Sequence, residues 1–576
     1  MRLLLVSALS LCTAVLARSV DSYVVSEAAI AKAGLLANIG PSGSKASGAS
    51  PGVVIASPNT VEPNYLYTWV RDSSLVFKVL IDQFTTGQDP SLQDHVVNFI
   101  DAESKLQQLA NPSGNLTTGG LGEPKFNINI TAFTDSWGRP QRDGPALRST
   151  AVITYANWLL KRSSSSNVLE TLWPMIKLDL DYVAANWNQS SFDLWEEVES
   201  SSFFTTAVQH RALREGAALA KTLKQNATAY LTQADNVLCF LQSYWNEEKG
   251  YLTANTGGGR SGIDANTLLA SIHTFDPAAG CDAHTFQPCS DKALSNLKVY
   301  VDSFRSIYAL NNGTASNAAV ATGRYPEDVY MATTPGLAIS NPWYLTTAAV
   351  AEQLYDALLV WERQLKIEVT ETSLSFFQQF EPKVKVGTYG LLSLTYIKLL
   401  AEVKAFAEGA LAIHAKYTPS NGALSEQFDK TNGTQVSAKD LTWSYAAALT
   451  MFSARASKVP LSWGAAGLTV PKVCKPGPPL PTSTVTFTVD ATTVAGESIL
   501  LTGSIAELQS WSPTTALPMT ADGSTWSVTV VVPASTIVDF KYIRMLDGAV
   551  TWESDPNNEI TTPAEGGEAT IDDVWR

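Results

Sequence analysis

The feature that most limits what this chain can fold into is a switch in the spacing of its apolar residues near Cys474. Before it, apolar residues recur with helical spacing over Ser22–Ala37, Ser74–Phe84, Ala146–Leu160, Phe203–Leu223, Ala227–Trp245, Ala293–Leu310 and Tyr344–Leu365, with few convincing strands. Next comes KPGPPLPTST (Lys475–Thr484), whose four prolines deny the backbone both donors and helical freedom and read as a short, stiff linker. Beyond it the period becomes two, over Val485–Val489, Ile499–Leu501, Trp526–Val532 and Val538–Ile543. A mainly α chain is therefore expected, with a large helical domain over residues 19–474 and a small antiparallel β-sandwich over 485–576.

Within the helical part, clusters mixing charge with aromatic rings recur, each leading into an apolar helix. They are YTWVRD (Tyr67–Asp72), SWGRPQRDG (Ser136–Gly144), DLWEEV (Asp193–Val198), RSGIDANT (Arg260–Thr267), GRYPED (Gly323–Asp328), LSEQFDK (Leu424–Lys430) and LTWSY (Leu441–Tyr445). If every second helix lies in an inner ring, all these loops open at one end. That is the plan of an α/α toroid with a site at its mouth.

Residues 1–18 read as a secretory leader: Met1-Arg2, an apolar run from Leu3 to Ala17 too short to span a bilayer, and small residues Val15 and Ala17 before the cut. The remaining cysteines, Cys239, Cys281, Cys289 and Cys474, are an even set for an oxidising compartment. The tight loop CDAHTFQPC pairs Cys281 with Cys289 and Cys239 with Cys474. Sequons at Asn115, Asn129, Asn188, Asn226, Asn312 and Asn432 fit an extracellular glycoprotein and are expected on the surface. Asp+Glu 54 against Lys+Arg 40 gives a net charge of -14, the wrong sign for nucleic acid or anionic membranes. Five histidines without a ligand spacing specify no metal, and no cofactor is called for.

Two other chemistries fail on their own terms. GASPG (Gly48–Gly52) has the form of a nucleophile elbow, but Pro51 lacks the N–H that its oxyanion hole needs. Gly257–Gly259 lack the Lys-Ser/Thr of a phosphate loop. Carboxylates are the better lead. Asp193, Glu196 and Glu197 crowd around Trp195, and like charge plus an indole raises one of them toward a useful general acid. Spacing does not choose between Glu196 and Glu197. Glu426, far along the chain, offers the second carboxyl that glycosidic cleavage requires. Arg71, Asp72 and Arg324 suit sugar hydroxyls, and Trp69, Trp137, Trp195 and Trp443 offer faces for a pyranose ring.

TWVRD, GLGEPKFN (Gly120–Asn127), SWGRPQRDGPALR, DLWEEV, SSFFTTAVQHRAL, SIHTFDP, DSFRSIY, GRYPED and LSEQFDK, in this order, resemble the fungal glucoamylases of glycoside hydrolase family fifteen, from about Ser19 to Cys474. The tail resembles a starch-binding module of family twenty. The resemblance implies an (α/α)6 barrel that releases β-D-glucose, with inversion, from the non-reducing ends of starch and related α-1,4 and, more slowly, α-1,6 glucans. It assigns Glu196 as general acid and Glu426 as general base, with Tyr65 near the attacking water. It makes Arg71, Asp72, Arg324 and Glu197 hydroxyl ligands, sets Trp137 beside the acid, and has Asp193 tune that acid. In the module it implies a glucan site of Trp511, Lys541, Trp552, Glu553 and Asn557. A second site is expected to be weak, because Ala495 and Asp522-Gly523-Ser524 stand where relatives carry aromatics. Phe133 likewise replaces a tyrosine. A secreted monomer acting on starch and malto-oligosaccharides is expected. The rivals are another α/α-barrel glycosidase such as a trehalase, separable by comparing maltose with trehalose, and a glucan-binding lectin, separable by glucose release.

Overall fold

The computed structural model describes residues 2–162, 166, 168–331, 339–473, 482–534, 537–546, 548–564 and 566–576, with side chains from residue 20 onward except at 506 and 510. The chain falls into two compact units. One comprises Met1–Trp187, Ser202–Ala254 and Ser261–Lys475; the other comprises Asn188–Ser201, Asn255–Arg260 and Pro476–Arg576.

The first unit is helical: α1 (Arg2–Ala37), α2 (Val70–Thr85), α3 (Gln93–Gln108), α4 (Gly144–Leu160), α5 (Trp173–Asn186), α6 (Phe203–Thr222), α7 (Thr228–Leu241), α8 (Asn266–His273), α9 (Asp291–Ser303), α10 (Tyr344–Gln364), α11 (Leu394–Tyr417) and α12 (Thr442–Arg455), with a short turn at Leu374–Gln378. The even-numbered helices close a ring, each packing on the next from α2 through α12 and back to α2. Each odd-numbered helix packs outside one of them: α1 on α12, α3 on α2, α5 on α4, α7 on α6, α9 on α8 and α11 on α10. This is the expected (α/α)6 barrel. Sequence assigns the layers. In α10 every residue from Tyr344 to Trp361 is buried, as befits a helix enclosed on all sides. In α3 the buried residues Val96, Phe99, Ala102, Glu103, Leu106 and Gln107 form one stripe, and the opposite face is exposed or half-buried. Gly216 of α6 lets α5 come close, since a Cβ there would lie 2.3 Å from a Leu180 methyl.

Each outer helix returns the chain, so the ring helices run the same way and their entry loops gather at one end. Backbone bonds tie these loops together: Thr442 N–H to Ala56 O, Ala265 N–H to Arg324 O, Trp343 N–H to Thr322 O and Tyr344 N–H to Glu426 O.

The second unit contains the β-sandwich. Its strands are β1 (Thr482–Asp490), β2 (Ser498–Gly503), β3 (Leu517–Pro518), β4 (Thr520–Asp522), β5 (Thr525–Pro533), β6 (Ile537–Leu546), β7 (Ala549–Trp552), β8 (Asn558–Thr561) and β9 (Glu568–Val574). One sheet runs β4-β5-β1-β9 and the other β3-β2-β6-β7, with β8 also on β6. Val485, Phe487 and Val489 meet Ile499, Leu501, Val538 and Phe540 between the sheets, so the two-residue period places the core. The pairing is antiparallel except for β1 with β9, where first and last strands run parallel.

Two expectations need adjustment. The helix read over Ala293–Leu310 stops at Ser303, because Arg305 turns its guanidinium onto the carbonyls of Ala315, Ser316 and Ala318 and pulls the chain into a loop. Strand β1 takes up Thr482–Thr484, the last three residues of the expected linker. Cys281 and Cys289 are bonded as expected. Cys239 is also disulfide-bonded, and its Sγ lies 3.7 Å from Pro471 O; Cys474 itself lies outside the described residues. The side chains of the expected leader are likewise outside them. All six sequon asparagines are exposed.

Candidate active site

Glu426 directly precedes the short strand Gln427–Phe428, in the segment leading to α12. Its backbone bonds Tyr344 and Ala438, which leaves the side chain only 2% exposed. The hydroxyl of Ser437 and the amide of Gln427 donate to Glu426 Oε2, the latter at 3.3 Å, and Tyr65 adds a third side-chain hydrogen bond. Tyr65 Oη in turn lies 2.6 Å from Tyr330 Oη. Burial pushes the Glu426 carboxyl up to about 7, against the pull of Ser437, the Arg324 charge and Tyr65. Arg324 is held by Asp328 through two bonds, Nε–Oδ2 at 2.8 Å and Nη2–Oδ1 at 2.6 Å. Its guanidinium lies 4.9 Å from the Tyr330 ring centre and 5.3 Å from that of Trp343. A carboxyl of high proton affinity thus faces a fixed, orienting cation, the combination a general base needs.

On the other side of this mouth, Arg71 in the first turn of α2 donates Nη1 to Gln141 Oε1 at 2.8 Å and Asp143 Oδ2 at 2.9 Å, which clamps the loops before α2 and α4. Asp72 Oδ2 is 3.9 Å from Arg71 Nε. The strand Thr68–Trp69 pairs with Lys125–Asn127 and places Lys125 among four rings. Its Nζ is 3.4 Å from the Trp137 centre, 4.2 Å from those of Tyr67 and Phe133, and 4.7 Å from that of Trp69. Trp69 and Trp137 meet edge-on at 5.9 Å, and Phe133 completes the cluster. Lys125, Tyr330 and Ser437 were not singled out from sequence. Only the run GLGEPKFN, with a lysine between apolar strand residues, hinted at the first. Trp443 is buried in the first turn of α12, where it lines the ring interior with Leu75 and Leu345.

The DLWEEV segment belongs to the second unit. A short hairpin, Ser191–Phe192 against Glu199–Ser200, brackets it. Buried Asp193 is the organiser: its Oδ1 accepts from the N–H of Glu197 (3.0 Å) and Val198 (3.2 Å), and its Oδ2 from Asn255 Nδ2 (3.1 Å). Burial raises the Asp193 carboxyl, opposed by the Glu197 amide and the Arg260 charge. Within this bracket Glu196 takes φ +67°, a conformation that L residues rarely hold without surrounding support. Glu196 is half-buried and Glu197 exposed; the latter is paired with Arg260 Nη2 at 2.7 Å. Trp195 is buried. The glycine-rich loop has a packing reason: at Gly258, φ +98°, a Cβ would come within 2.7 Å of a Val198 methyl.

In the sandwich, Trp552 is 41% exposed, Asn557 is exposed and Trp511 is half-buried. Lys541 and Glu553 are buried beneath them. Lys541 Nζ donates to Glu553 O at 3.0 Å and Asp555 Oδ1 at 2.8 Å, and the Glu553 carboxylate accepts from Asn558 at 2.9 Å and Arg576 at 3.2 Å. These two hold the loop that presents the tryptophan. Ala495 and Asp522-Gly523-Ser524 are all exposed and offer no ring.

The model of glycosyl hydrolases family 15 matches residues 29–453, and the starch binding domain matches residues 482–572. Glucoamylase-1 of Schizophyllum commune is 57% identical over 96% of this chain and 96% of its own length, and the Neurospora crassa glucoamylase is 45% identical over 98% and 95%. Among solved structures, the family 15 glucoamylase from Hypocrea jecorina has a TM-score of 0.76 at 47% identity and covers 97% of this chain and 100% of that one. The glucoamylase of Hormoconis resinae gives 0.75 at 43%, covering 96% and 98%. Similarity of this extent over the barrel, with the Glu426 and arginine loops gathered at its mouth, places the chain in family 15 of the glycosyl hydrolases, with a starch binding domain at its C-terminal end.

Proposed function

We propose that this chain is a secreted, exo-acting glucoamylase that cleaves α-1,4 and, more slowly, α-1,6 bonds at the non-reducing ends of starch, with inversion. Glu426 removes a proton from water as the water oxygen bonds to the anomeric carbon; the glycosidic C–O bond breaks; Glu196 delivers its proton to the departing oxygen. β-D-Glucose and a chain shorter by one unit result. The observation that carries this reading is Glu426 itself, a buried carboxyl beside Arg324 with Tyr65 and Ser437 as donors. The braced turn around Glu196 supports the acid's role, and starch-degrading relatives support the substrate. Secretion rests on the leader-like first 18 residues, the Cys281–Cys289 bond and the exposed sequons.

Proton NMR of the first product from maltose tests the stereochemistry: β-glucose is expected, and initial α-glucose overturns inversion. Glu426→Gln and Glu196→Gln should each reduce kcat by about 10²–10⁴-fold with little change in KM. Near-normal turnover of either variant removes that residue from the mechanism. Hydrolysis of trehalose in preference to maltose would overturn the substrate assignment.

A further inference from the structure

The far end of the barrel, where the ring helices finish, holds a cavity of about 400 Å³. It lies opposite the loops that carry Glu426 and Arg324, and its apolar walls include Leu75, Val79, Ile272 and Phe275. Two carboxyls one turn apart on α10, Glu352 and Asp356, face into it. Asp356 is 3% exposed and, among the described residues, makes no hydrogen bond or ion pair. Glu352 accepts only a hydroxyl bond from Thr450, at 2.5 Å. Two cations of the wall are engaged in ion pairs, and two stand exposed at its rim. Lys78 is paired with Asp82 at 2.6 Å; Arg211 is paired with Glu215 at 3.2 Å and donates to His273 O at 2.6 Å; Arg363 and Lys458 are exposed at the rim. Burial holds His273 at about 3, hence neutral, and leaves its Nε2 without a partner. Asp356 is thus left in the interior without an ion-pair partner, and a carboxyl buried without a partner costs stability.

We propose that this cavity is a binding site for a small protonated amine, with Asp356 and Glu352 as its ion-pair acceptors and the apolar wall covering its methylenes. Two side-chain carboxyls fall short of the six to eight oxygens a hard metal ion collects, whereas an ammonium needs only a few acceptors at hydrogen-bonding distance. Burial pushes Glu352 up to about 7 and Asp356 well above the usual range, the Glu352 charge adding to the latter. A bound ammonium stabilises the ionised carboxylates, whose protons leave to solvent.

The test is titration calorimetry at neutral pH on the full chain carrying Glu426→Gln, with 2-amino-1,3-propanediol as probe and glycerol as its neutral counterpart. One saturable site is expected. Adding Asp356→Asn should weaken it at least about tenfold, and glycerol should bind at least about tenfold more weakly than the amine. Asp356→Asn in the otherwise unaltered chain should keep its maltose turnover, which verifies the fold; if it does not fold, Glu352→Gln carries the same expectation. Equal affinity in the variants would place the amine elsewhere, and equal affinity for glycerol would remove the charge recognition. Absence of saturable binding would leave a cavity for water alone. Each of these three outcomes overturns the proposal.

Discussion

Ser437 holds left-handed backbone, φ +65°, and from that position its hydroxyl reaches the Glu426 carboxylate. Its hydrogen bond favours the charged form, so Ser437→Ala should let burial raise Glu426 further. A base works only when ionised; the acid limb of kcat/KM should therefore move to higher pH, and an unmoved limb would show that Ser437 does not tune it. Asp193 acts on its neighbour by geometry. Asp193→Ala removes three brackets from the turn and should lower kcat on maltose on the order of 10²-fold while KM changes little. Motifs name Glu426, Glu196 and Arg324 because their order along the chain is unmistakable. Lys125, Asn255 and Ser437 were illegible for a common reason: each matters through a partner distant in sequence or through a backbone conformation that residue type alone does not announce.

Between elements, a fully buried link is Arg148 of ring helix α4. Both of its ends are bound: Nε and Nη2 to Asp179 of α5 at 2.9 and 2.6 Å, and Nη1 to Glu103 of α3 at 3.1 Å, where Ser73 of α2 also donates. Arg148→Ala would strand two buried carboxylates and should destabilise the barrel by about 3–5 kcal/mol, read from urea unfolding. A conserved midpoint would show that the network contributes no net stability. In the sandwich, Trp552 is presented by a loop that Lys541 and Glu553 hold from below. Trp552→Ala should reduce adsorption to granular starch at least about tenfold without affecting maltose hydrolysis. Long periodic elements such as α10 were readable to within a residue or two. The short strands β3, β4, β7 and β8 were not, because two to four residues carry too little alternation to register; β9, though longer, pairs with β1 across the whole length of the module.

At the scale of the molecule, buried titratable groups set how stability follows pH. Burial holds His210, His273 and His414 at about 3, below their ordinary 6.5. It lifts Glu27, Glu352 and Glu426 to about 7, above 4.5. From 6.5 down to 4.5 the unfolded chain gains the histidine protons while the folded one keeps the glutamate protons, so the two sets oppose each other. Below 4.5 the histidines still differ, joined by carboxyls that hydrogen bonds hold below their ordinary values, Asp276 and Asp429 among them, and stability falls as pH falls. Above 6.5 only the carboxyls differ, Asp356 among them, and stability falls as pH rises through about 7. Thermal midpoints should show a broad maximum between these limits; a midpoint still climbing above pH 8 would contradict the burial of these acids. What the sequence determined alone is the succession of α then β, the alternation of enclosed and one-sided helices, and the identity of the carboxyl and arginine motifs, since periodicity and motif order are properties of one dimension. The tertiary structure decided which groups lose water and which donors reach them: that Glu426 is buried with Ser437 and Tyr65, that Asp193 folds back on its own turn, and that Asp356 faces a cavity without an ion-pair partner among the described residues. Proton affinity depends on solvent exclusion and on charges a few ångströms away, and neither distance exists until the chain has closed its ring.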